Sequence, residues 1–324
     1  MIRPVILFVI VLLSFTSSAQ KNAYVVFKKA KKMPKPVFGA AYCSDGTKAI
    51  IAGGRGYAGV NSSDILMYDA ALGDWLDLSP SSDMDPVFFG TAVYLDDYKS
   101  ALFLGGTKQD KKYIYLEDNL TYYDLSTLQT RSLGQNPIAA KLQGAAYWKG
   151  KVYIFGGSKN SDGKTILYNP ELYAYSLQTG VMDQLAALPV AKEVRGEIID
   201  GMLYIVGGYY QKASNRVHRY DLAEDKWDKV AELDKPISAY AMVKYQHYLI
   251  LVGDYKELDR MVVFDTKTLT AKTFKMNFKG RHAAAAVLNN ELHVFGGFNP
   301  EKDDRVASDQ HWKLDLDQFF KFNY

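Results

Sequence analysis

A chain of 324 residues, 48% hydrophobic and 23% charged, has the make-up of a globular protein and can bury a sizeable core. Its net charge of +3 comes without a long basic run, which argues against nucleic acid or an anionic membrane as a partner held by charge. The single cysteine, Cys43, cannot make an internal disulfide, so no disulfide framework holds the fold.

Taken in chain order, the first segment stands apart. Arg3 supplies a positive start, Val5 to Leu13 is an unbroken apolar run, and Ser17-Ser18-Ala19 places small residues at a cleavage point. This pattern predicts a signal peptide over residues 1–19, cut before Gln20. Nine apolar residues are too few to span a bilayer, which takes roughly 20. The residue directly after the cut is Gln20 and not cysteine, so a lipid anchor is not expected there. The expectation is one domain over residues 20–324, exported to the periplasm or secreted, with no transmembrane segment after cleavage. Cys43 follows Gly39-Ala40-Ala41-Tyr42, a small-residue stretch that reads as a buried strand carrying an inert thiol.

The rest of the chain repeats one motif, an apolar run ending in two glycines. It occurs at Ile50–Gly54, Leu102–Gly106, Val152–Gly157, Leu203–Gly208 and Leu292–Gly297, with an altered copy at Leu249–Asp254. The first glycines are spaced 52, 51, 51, 46 and 43 residues apart. The third repeat shows the unit most clearly. Gly144–Trp148 reads as a strand, Lys149-Gly150 as a tight hairpin turn, and Val152–Phe155 as a second strand rich in β-branched and aromatic residues. Leu172–Tyr175 then makes a third strand, and Val181-Met182 begins a fourth. In the third strands an aromatic precedes aspartate, at Tyr68-Asp69, Tyr123-Asp124, Tyr220-Asp221 and Phe264-Asp265. The carboxylate there is suited to accept N–H groups of the following turn. Trp75 and Trp227 each follow such an aromatic by seven residues.

The glycine pair, the aromatic-Asp pair and the spaced tryptophan together resemble kelch repeats, and a period near fifty is the kelch period. The resemblance implies an all-β fold: a six-bladed kelch β-propeller of four-stranded antiparallel blades, closed by an N-terminal strand. Inner strands crowd a central axis, which suits Ala283–Ala286, and the glycines permit positive φ and close approach of neighbouring blades. Tyr24–Phe27 precedes Gly39 by the spacing that separates Trp75 from Gly90, so residues 24–27 are expected to complete the last blade. Phe319–Phe322 is the alternative closing strand.

In such a blade the residues after the glycine pair gather on one face around the channel. This makes Arg55, Lys108, Lys159, Tyr209, Tyr255 and Asn299 candidate ligand-binding residues, with Arg281 and His282 from the segment leading into an inner strand. The rim is basic and aromatic, which suits a small acidic carbohydrate or an acidic protein segment; the competing interpretation is solvated loop charge. Arg195 and Glu197 replace small residues in an inner strand and lie two apart, hence on one face. They are the candidate catalytic pair, the carboxyl moving a proton and the guanidinium holding an anion, or else a structural ion pair. The five histidines show no metal-ligand spacing, and no phosphate-binding or nucleophile motif is present, so neither cofactor nor metal is expected. Two functions follow. The first is a ligand-binding module, for carbohydrate or protein. The second is a carbohydrate mutarotase or epimerase, because the exported six-repeat design resembles the kelch-type sialic-acid mutarotases.

Overall fold

The computed structural model describes residues 23–56, 59–79, 84–110, 113–160, 165–298 and 307–324. The expected signal peptide lies outside the described residues. The glycine-pair repeat builds six sheets with antiparallel neighbours throughout their cores. The third runs Gly144–Trp148, Lys151–Phe155, Leu172–Ser176 and Met182–Leu185, in spatial as in chain order. Its first turn, Lys149-Gly150, has φ of 45° and 79°, positive at both positions as a two-residue hairpin requires. The other five sheets begin with Ala41–Ser44, Thr91–Leu95, Gly196–Ile199, Ala241–Tyr245 and Ala284–Leu288. These first strands lie side by side in order, and Ala284–Leu288 returns beside Ala41–Ser44.

Both faces of each sheet are covered by a neighbour, so second strands read as continuous apolar runs instead of alternating. Leu102 and Leu104 of the second sheet pack on Val152 and Ile154 of the third. Phe155 and Leu172 pack on Leu203 and Ile205 of the fourth. The same layering joins the first and second sheets through Ile50 and Phe103. The inner strand carries Cys43 as expected, half-buried, its thiol pushed up by burial and by Asp45 and therefore protonated.

The glycine pairs are obligatory where sheets meet. Gly53 has φ of 66°, and a Cβ there would lie 2.4 Å from Val87 O of the segment leading into the next sheet. In the altered fifth copy the second position is Asp254. Its carboxylate accepts from Ser238 N at 3.0 Å and Tyr255 N at 2.7 Å, binding the segment that the glycines elsewhere let approach. The aromatic-Asp pairs act as anticipated: Asp69, Asp124, Asp221 and Asp265 each accept turn N–H groups two and three residues on. The tryptophans fasten neighbouring elements. Trp75 Nε1 donates to Lys31 O at 3.0 Å, and Trp227 Nε1 to Ala186 O at 2.8 Å.

The ends differ from the sequence-based expectation. The strand beside His311–Asp315 in the sixth sheet is Lys28–Lys29, not residues 24–27. Ala23–Val25 instead runs parallel to Thr270–Met276, as a fifth strand of the fifth sheet. Between them, Phe27 exchanges both backbone hydrogen bonds with the side chain of Asn277, at 2.7 and 2.9 Å. The alternative closing strand is a helix, Leu316–Asn323, capped by Asp315 and seated by Leu316 and Phe319.

Candidate functional site

Six segments lead into the six inner strands, and the repeat places them in register. In each, one residue bonds through its backbone to the residue two beyond the first glycine. The pairs are Phe38 with Arg55, Phe88 with Thr107, Lys141 with Ser158, Glu193 with Tyr209, Ser238 with Tyr255 and Arg281 with Phe298. The following residue then reaches the neighbouring sheet. Val194 N donates to Leu142 O at 3.3 Å, Leu142 N to Phe89 O at 3.0 Å, and Phe89 N to Gly39 O at 2.8 Å. Gly39 N donates to His282 O at 2.8 Å, and His282 N to Ala239 O at 2.7 Å. Positive φ at Phe89, Leu142, Ala239 and His282 turns their side chains off the strands, and Gly39 takes the same backbone conformation. Among the described residues the sixth link, Ala239 N to Val194 O, is not made. A donor and an acceptor are thus left at the seam between the fourth and fifth sheets.

Above this seam opens a cavity of about 510 Å³, within the range of small-ligand sites. Val194 and Ala239 line it, with Arg195, Arg281, His282 and Tyr240 around the seam. Tyr42 makes the support beneath. Its phenol receives Met242 N at 2.9 Å and donates to Met242 O at 3.4 Å, so it spans from the first inner strand to the fifth. The Arg195 guanidinium rests 4.5 Å from the Tyr42 ring centre. Arg281 lies 4.0 Å from the ring of Tyr255 and 5.0 Å from that of Phe298, and donates to Tyr255 O at 3.3 Å. Aromatic faces hold both guanidiniums in place while leaving their charge free. Among the described residues neither has a carboxylate ion-pair partner.

The two charges overlap at His282. Burial, then Arg281 and Arg195, push its imidazole down to about 3, so it is neutral at pH 7, and its ring lies tilted 4.8 Å from that of Phe89. Glu193, which also lines the cavity, accepts from Ser158 Oγ at 2.6 Å. Burial raises its carboxyl, opposed by the Ser158 hydrogen bond and by Lys141, which lines the same cavity.

The anticipated residues divide. Arg195, Arg281, His282, Tyr209 and Tyr255 meet in this cavity. Arg55 lies outside it, with Nε on Asn61 Oδ1 at 2.9 Å and its guanidinium 4.1 Å from the Phe88 ring centre. Lys108 also lies outside, paired with Glu117 at 3.0 Å and Asp85 at 3.1 Å. Lys159 is exposed on a separate hairpin, and Asn299 falls outside the described residues. Glu197 does share a side with Arg195, but one layer below. Both line a void of about 40 Å³ that fits water and not a sugar. Burial raises the Glu197 carboxyl, while Lys244, 3.9 Å away, and Arg195 pull it down. Glu193, Phe38 and Phe89 were not singled out from sequence. Aligning the repeats two residues beyond each first glycine, and pairing outward, would have found the first two.

The sequence matches the KLHDC2/KLHL20/DRC7 Kelch-repeats domain over residues 39–254. It is 24% identical over 253 residues to kelch-like protein 38 of Homo sapiens, covering 76% of this chain and 42% of that protein. It is 22% identical over 205 residues to kelch-like protein 40 of Xenopus laevis, covering 61% of this chain and 31% of that protein. Beta-scruin of Limulus polyphemus is 22% identical over 287 residues, 78% of this chain and 29% of that protein. The chain spans less than half the length of these relatives. With two thirds of its length matched, and with glycine pairs, aromatic-Asp turns and four-stranded sheets all in place, the chain belongs to the kelch-repeat family.

Proposed function

We propose that the protein is an exported, six-bladed propeller that acts as a binding module, capturing a carboxylate-bearing ligand in the mouth cavity. The six-bladed ring is supported by the circular order of the first strands and by the five sheet-to-sheet backbone links. Export is supported by the apolar run at Val5–Leu13 before Ser17-Ser18-Ala19, and no helix among the described residues is long and apolar enough to cross a membrane. Mass spectrometry of the exported protein is expected to find Gln20 as the first residue. A mature chain that keeps Val5–Leu13 would refute this.

One observation carries the binding function: Arg195 and Arg281, each held over an aromatic ring, line one cavity with the unlinked Ala239 N–H. Guanidinium forks and a backbone donor are what a carboxylate needs in a partly dry site. Kelch membership favours an acidic segment of a protein as the ligand, and an acidic sugar meets the same donors. Thermal unfolding with D-glucuronate, N-acetylneuraminate and an acetylated, amidated Gly-Asp-Gly peptide tests this. A ligand at a hundred times its Kd stabilises the fold by about 2.7 kcal/mol. Replacing Arg195 and Arg281 together by Ala is expected to abolish the shift while leaving the ligand-free Tm within a few degrees. A shift that survives the double replacement assigns the cations to solvation.

A further inference from the structure

We propose that the mouth cavity recognises two features at once, a carboxylate at the Arg195–Arg281 end and a neutral hydrogen-bond donor, hydroxyl or amide N–H, at Glu193. The inference rests on the carboxylate site proposed above and adds the second pole to it.

Different cations act on two titratable groups of the cavity. Arg195 and Arg281 act together on His282. Glu193 sits on the wall built by the third and fourth sheets, and the cation acting on it is Lys141. Its backbone is fixed on both sides, by Glu193 N to Tyr209 O at 2.9 Å and Tyr209 N to Glu193 O at 2.8 Å. One carboxyl oxygen, Oε1, is occupied by Ser158 Oγ at 2.6 Å. Among the described residues Oε2 has no hydrogen-bond donor or ion-pair partner within reach, and the residue lines the cavity. A half-buried acceptor facing a ligand space is costly when empty and selective when filled, since a ligand without a donor leaves it unpaired.

Lys141 decides the kind of donor. A ligand ammonium at Glu193 would be brought beside a second cation on the same wall, which costs energy in a site of reduced dielectric. A hydroxyl or amide N–H carries no such penalty. The class that fits is therefore a hydroxylated or amide-bearing acid, as found in a sugar acid or at an acidic residue within a peptide. A simple apolar acid or a zwitterion of the same size fits poorly.

Four six-membered rings of similar size separate the two poles: D-glucuronate, cyclohexanecarboxylate, trans-4-aminocyclohexanecarboxylate and D-glucose. The Gly-Asp-Gly peptide forms a fifth arm and distinguishes a peptide source from a sugar source. Affinities are measured by calorimetry on the whole mature chain, wild type, Glu193→Met and Arg195→Ala. D-glucuronate or the peptide is expected to bind wild type at least tenfold tighter than either cyclohexane acid, and glucose not to bind. Glu193→Met, which removes the acceptor at similar length, is expected to remove that tenfold preference while leaving cyclohexanecarboxylate unchanged, and Arg195→Ala to remove every acid. Equal affinity of glucuronate, the peptide and cyclohexanecarboxylate, or a preference that persists in Glu193→Met, overturns the second pole but leaves the carboxylate site standing. Failure of every acid to bind wild type overturns the carboxylate site itself. Unchanged ligand-free Tm in the variants excludes misfolding as the cause.

Discussion

His293 and His311 share a hydrogen bond, Nδ1 to Nε2 at 2.8 Å, deep in the sixth sheet, and His311 Nδ1 also meets Lys31 O at 3.1 Å. Tyr68 and Phe295 pack against both rings. His293 lies in a second strand, and its partner comes from the third strand eighteen residues on, a pairing that no sequence spacing marks. Burial, reinforced by Lys313, pushes His293 down to about 4. Burial and then His293 push His311 down to about 3, and burial holds His218 at about 4. All three are neutral when folded and bind protons more readily when unfolded, near 6.5. Their contribution to stability is therefore complete above pH 6.5 and is lost as pH falls towards 3, at about 1.4 kcal/mol per pH unit for each imidazole. Glu193 and Glu197, raised by burial, act in the opposite sense on the way down. Urea midpoints are expected to drop between pH 6.5 and 4.5, above the range where paired aspartates titrate. Replacing His293 and His311 together by Phe should lower that slope, the remainder coming from His218 and His282; an unchanged slope would place the acid sensitivity elsewhere.

The repeating elements were readable because their chemistry is local. A glycine at positive φ, an aspartate capping its own turn and a two-residue hairpin each depend on neighbours in sequence. What the sequence concealed depends on where a segment lands after folding. Lys192, 1% exposed, donates from Nζ to Gly207 O at 2.7 Å, and Arg260, also 1% exposed, donates to Pro236 O and Lys235 O. Both are charges spent on backbone carbonyls of connecting segments, and no spacing rule marks them. The same limit applied to the candidate site. Arg55, Lys108 and Lys159 lie outside the cavity, with Arg55 engaged by Asn61 and Phe88, Lys108 by two carboxylates and Lys159 exposed on its own hairpin. Arg195 was legible as a charge where other repeats carry small residues, but its place in one cavity with Arg281 and its support by Tyr42, from sheets far apart in sequence, were not. Glu197 carries the same anomaly and lies beneath, because a strand residue two further on is about 7 Å deeper along the axis.

At the level of the molecule, the N-terminal strap ties two neighbouring sheets together. It contributes to two sheets at once: Ala23–Val25 to the fifth and Lys28–Lys29 to the sixth. Its side chains alternate, with Val25 and Phe27 buried at 6% and 2% while Tyr24 and Val26 stay exposed at 62% and 63%. The helix Leu316–Asn323 covers another part of the same region and pairs with no sheet edge. If the six sheets close on one another, removing residues 23–29 opens the ring, and the loss is felt by every sheet. The expected outcome is one cooperative urea transition whose stability is lower by several kcal/mol, since each of the two buried side chains contributes about 1.5–3 kcal/mol. Should the deleted chain fail to fold, single replacements keep the test alive. Phe27→Ala is expected to cost about 3–5 kcal/mol, and Val26→Ala, on the exposed face, less than about 0.5 kcal/mol. A second transition that keeps the wild-type midpoint after deletion would show that the first four sheets are indifferent to the strap, and a closed ring would then be untenable.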